Sequence, residues 1–78
     1  MSAELPVAGE AGATEAAALA REFIWQRLEV ARRLAVIGQD FAAIGDDRGL
    51  QYALLQIVAQ VKSAASTSKE LLPRREAA

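Results

Sequence analysis

Ala16, Phe23, Val30, Ile37 and Ile44 recur at intervals of seven residues, and Ala20, Leu34 and Phe41 fill positions between them. Spacing that alternates three and four lays residues along one side of an α-helix, because 3.6 residues make a turn. A strand would need alternation at every second residue. The pattern therefore predicts one long amphipathic helix over 14–44. Ile24, Leu28, Ala31, Ala35 and Ala42 widen the stripe on one side. Glu22, Gln26, Glu29, Arg32, Arg33 and Gln39 make the polar side. Thr14 suits the N-cap, and Glu15 sits where the helix dipole favours negative charge. A helix of about 30 residues is roughly 45 Å long. Gly38 is a weak position inside it, costing about 1 kcal/mol against alanine. It lies on the edge of the stripe, where a small residue lets another helix approach closely.

The segment 45–49, Gly-Asp-Asp-Arg-Gly, breaks the pattern. Gly45 suits a left-handed helix end, and Asp46 or Asp47 suits the next N-cap. So short a connection folds two helices back as an antiparallel hairpin. The second helix is predicted over 47–66, with Leu50, Leu54, Ile57, Val61 and Ala64 on its stripe and Ala53, Leu55, Val58 and Ala65 beside it. Its other face holds Tyr52, Gln56, Ala59 and Ser63, and no charged residue occurs over 49–61. A freely exposed helix usually carries lysine and glutamate there, so this helix is expected to be covered on more than one side. Residues 1–13, with Pro6, Gly9 and Gly12, are expected to form a flexible arm. Residues 67–78 are expected to be a tail, broken at Pro73, with Leu71 and Leu72 as a fold-back anchor.

The chain has 78 residues with no cysteine and no histidine. A chain this short often needs a disulfide, a metal or association to complete its core. Without thiol or imidazole, disulfides and Cys/His metal sites are excluded, and the acids form no clustered ligand loop. Association remains. Two helices touch along a line and leave much of each stripe wet, whereas two hairpins enclose a four-helix core. The expected architecture is all-α: an antiparallel two-helix hairpin pairing into a four-helix bundle, as a homodimer or with a helical partner. Phe23, Arg27, Val30, Leu34, Ile37, Phe41, Leu54, Ile57 and Val61 are the expected interface. Trp25, Tyr52 and Gln56 are candidate partner anchors, since exposed aromatics often dominate binding.

Chemistry finds few carriers. Ser63, Ser66, Thr67 and Ser68 beside Lys62 and Lys69 are ordinary solvated residues at a helix end, and capping accounts for Asp46 and Asp47. The absence of a glycine-rich phosphate loop adds to this, so no catalytic residue and no cofactor are expected. A net charge of −1, from 9 basic and 10 acidic residues, gives no field that would attract nucleic acid. The pairs Arg32-Arg33 and Arg74-Arg75 lack interleaved aromatics, and a nucleic-acid-binding regulator is a second reading. The first residues carry no basic and apolar leader, and the uncharged run is too short to span a bilayer. A cytoplasmic protein is the expectation.

Arg27 falls on the apolar stripe. A long side chain there either carries its charge to the edge of the interface or pairs across it. With Arg21, Arg32, Arg33 and Arg48 it prompts a comparison. The stretch Arg27-Leu28-Glu29-Val30-Ala31 and the pair Asp47-Arg48 are similar to motifs of the all-helical chorismate mutases. The resemblance implies an intertwined helical dimer that binds a dicarboxylate with arginines and a lysine. The lysine position is Gly38 or Gln39 here, and the acid after the linker arginine is missing. What the resemblance implies for this chain is thus a degenerate anion site around Arg27. Asp46-Asp47-Arg48-Gly49 followed by Tyr52-Ala53-Leu54 also resembles the entry to a tetratricopeptide helix, a fold that needs several units. The residues themselves point first to a small non-enzymatic interaction module: an adaptor, a chaperone-like subunit or a regulator.

Overall fold

The computed structural model describes residues 8–72. Helix α1 spans Ala8–Ile44, helix α2 spans Asp47–Ser68, and a short 3-10 turn, η1, covers Lys69–Leu71. No strand occurs among the described residues, and α1 and α2 pack as an antiparallel hairpin. Helix α1 begins six residues before the Thr14 start read from the sequence. Ala8, Ala11 and Ala13 favour helix strongly, and Glu10 lies in the first turn, where the dipole favours an acid. The expected flexible arm therefore loses residues 8–13 to the helix, and residues 1–7 lie outside the described part. Helix α1 also runs unbroken through Gly38. Helix α2 ends two residues beyond the expected Ser66 and tightens into η1, which packs back on α1. Leu71 is half-buried there, whereas Leu72 is exposed. Residues 73–78 of the tail lie outside the described part.

The turn works as its residues dictate. Gly45 adopts φ +75°, which only glycine takes without a steric cost. Its N–H donates to the Ala42 carbonyl at 3.2 Å, and the Asp46 N–H donates to the Phe41 carbonyl at 2.9 Å. This pair of bonds closes the end of α1. Asp46, not Asp47, is the N-cap of α2: its Oδ1 accepts from the Gly49 N–H at 2.9 Å. Asp47 supplies the acid of the first turn.

The seam between the helices follows a seven-residue pattern, shifted from the expected stripes. On α1 the seam holds Ala17, Ala20, Ile24, Arg27, Ala31, Leu34, Gly38 and Phe41, all buried or half-buried, with Glu29 and Val30 half-buried beside them. On α2 they include Leu50, Ala53, Ile57, Gln60, Ala64, Thr67 and Leu71. Ala16, Phe23, Val30 and Ile37 each stand one residue before a seam position, and Leu54 and Val61 each stand one residue after. Among the described residues, the buried apolar side chains are Ala20, Ala31, Ala53 and Ala64. Small side chains win the seam because helix separation is set by what lies between the axes. A methyl placed on Gly38 would stand 3.5 Å from the Ala53 methyl, so the two backbones are close here.

That distance is ordinary van der Waals contact, and Leu50 Cδ1 is farther still at 3.8 Å. Gly38→Ala therefore gains helix propensity, about 1 kcal/mol, with no clash. The expected result is a thermal midpoint about 5 °C higher by circular dichroism. A lowered midpoint would mean that the helices press together at Gly38 more tightly than these distances allow.

Candidate interaction surface

The described residues form two packed helices and a short 3-10 turn, a single layer. A core needs two layers, so one layer of helices leaves both of its faces uncovered. The antiparallel register fixes what each face carries. Gly38 stands opposite Ala53, and Arg27 opposite Gln60. The same register sets Leu28 beside Val61 and Ala35 beside Leu54 on one face. Trp25 and Val58 lie at the borders of that face. Leu28, Leu54, Val58 and Val61 are each about half exposed, at 49%, 51%, 50% and 45%. The other face carries Phe23, Val30, Ile37 and Ile44 of α1 over the half-buried Gln56 and Ser63 of α2. Its large apolar chains stand mostly on one helix.

Arg27 lies in the seam itself. Its Nη1 donates to Gln60 Oε1 at 3.0 Å, and its guanidinium carbon stands 5.5 Å from the centre of the Phe23 ring. The charge is thus held by a neutral amide and an aromatic face rather than by a carboxylate. Nε is buried without a hydrogen-bond partner. An unmet buried donor costs about 1–3 kcal/mol, so Arg27 is a poor choice for stability alone. A polar pair in an apolar seam does restrict register, because any slip unpairs both groups. Gln60, which completes this pair, was not legible as a site residue. Its signal is weak: it falls seven residues after Ala53 on the α2 seam.

Arg32 and Arg33 turn toward Glu29 instead of standing free. Arg32 Nη2 lies 2.7 Å and Arg33 Nε 3.0 Å from Glu29 Oε2. Hydrogen bonds from Arg32 first and Arg33 second hold the Glu29 carboxyl below its ordinary pKa, and Glu29 raises that of Arg32. A depressed carboxylate adds stability that is present above its unfolded pKa and is lost as pH falls through the folded value. At an exposed triad such a contribution is small.

The residues singled out from the sequence separate into three groups. Arg27, Leu34, Phe41 and Ile57 lie in the hairpin seam, buried in part. Phe23, Ile37, Leu54 and Val61 stand exposed on the flanks beside the seam, and Val30 is half-buried there. Trp25 is 65% and Tyr52 63% exposed, so neither is covered by its neighbours, while Gln56 is half-buried. The uncharged α2 face of Tyr52, Gln56, Ala59 and Ser63 is partly turned toward α1, through Gln56 and Ser63, while Tyr52 and Ala59 are exposed. The apolar Leu54, Leu55, Val58 and Val61 stand out instead.

Among the described residues, no cluster of acids could hold a metal ion, and no helix is long and apolar enough to cross a membrane. Comparison of the chain with protein-family models, with curated proteins and with solved structures gave no match.

Proposed function

We propose that this hairpin is a non-catalytic protein–protein interaction module, acting as an adaptor, a chaperone-like subunit or a regulator by helix packing. One observation carries the reading: the side chains the hairpin buries are alanines, and many of its large apolar side chains, among them Leu28, Leu54, Val58 and Val61, stay exposed on its faces. Water contact with half-exposed leucine and valine costs about 25 cal/mol for each Å² that a partner would cover. Contiguous patches of this kind mark association surfaces. The seam around Arg27 supports the same reading, since the guanidinium is engaged by Gln60 and Phe23 inside the protein. So does the pairing of Arg32 and Arg33 with Glu29, whose one carboxylate offsets half of that basic pair's charge.

A photo-crosslinking benzoylphenylalanine placed at Leu54 tests this in the host cell. The expected result is one discrete adduct, with none from the same probe at Val36, which lies on the outer side of α1. Equal labelling from both positions, or none from either, would remove the interaction reading.

A further inference from the structure

We draw no further inference here: the strongest candidate, the apolar surface patch that Leu28, Leu54, Val58 and Val61 form across α1 and α2, carries none, because nothing in the structure shows what covers it.

Discussion

Ala53→Leu is expected to lower the thermal midpoint of the chain by about 10–20 °C, the largest effect of any single substitution in the seam. Ala53 is 1% exposed and lies opposite Gly38, where the backbones come close. Leucine adds three heavy atoms to a gap that has room for little more than one further methyl on Gly38. Neither helix can rotate to make room without moving Arg27 away from Gln60, 3.0 Å across the same seam. Overpacking of this kind costs about 3 kcal/mol, which for a chain of this size corresponds to the stated shift. Circular dichroism melts at one fixed protein concentration measure it, so that association is held constant. A midpoint within about 3 °C of the parent would mean that the helices do not meet at Ala53.

Gly49→Val is the second large loss. A Cβ on Gly49 would stand 2.6 Å from Cδ1 and Cε1 of Phe41 and 2.8 Å from its Cγ. Cγ is fixed close to the backbone, so the ring escapes only by leaving the rotamer that seats it in the seam. The Gly49 N–H is also the donor that Asp46 caps, so displacing this turn weakens the start of α2. The expected cost is about 2–3 kcal/mol, against a few tenths regained in helix propensity. Combining Gly49→Val with Phe41→Ala separates the two causes. The ring removed, most of the clash goes, and the double variant should fall well short of the sum of the single losses. Additive losses would place the strain in the turn and not against Phe41.

These two positions also mark where sequence patterns stop being sufficient. Gly45, Asp46 and the two helices were legible because their causes are local. A left-handed turn suits glycine, a carboxylate reaches its own N–H groups, and the three-four spacing needs only one helix to be seen. The stripe of Phe23, Val30 and Ile37 was legible for the same reason, since large residues dominate a hydrophobic pattern. That stripe proved to be a flank. Contact between helices is settled by the closest approach of two backbones, and there Ala20, Ala31, Gly38, Ala53 and Ala64 are favoured by being small. Size and hydrophobicity point in opposite directions at this seam, and the sequence pattern weighs only the second.

Arg27 shows the same division. Its place on an apolar stripe was evident, and its partner was not, because Gln60 is 33 residues away and neutral. The structure also rotated α2 by about one position, turning Gln56 and Ser63 partly inward and Leu54, Val58 and Val61 outward. The sequence by itself determined two helices, the glycine turn that reverses them and an apolar content too large for one layer to bury. Each follows from local geometry or from composition. Which small residues form the seam, and so which large ones are left exposed on its faces, only the tertiary structure decided. That choice depends on the facing helix, residue against residue, and no periodicity within one helix contains it.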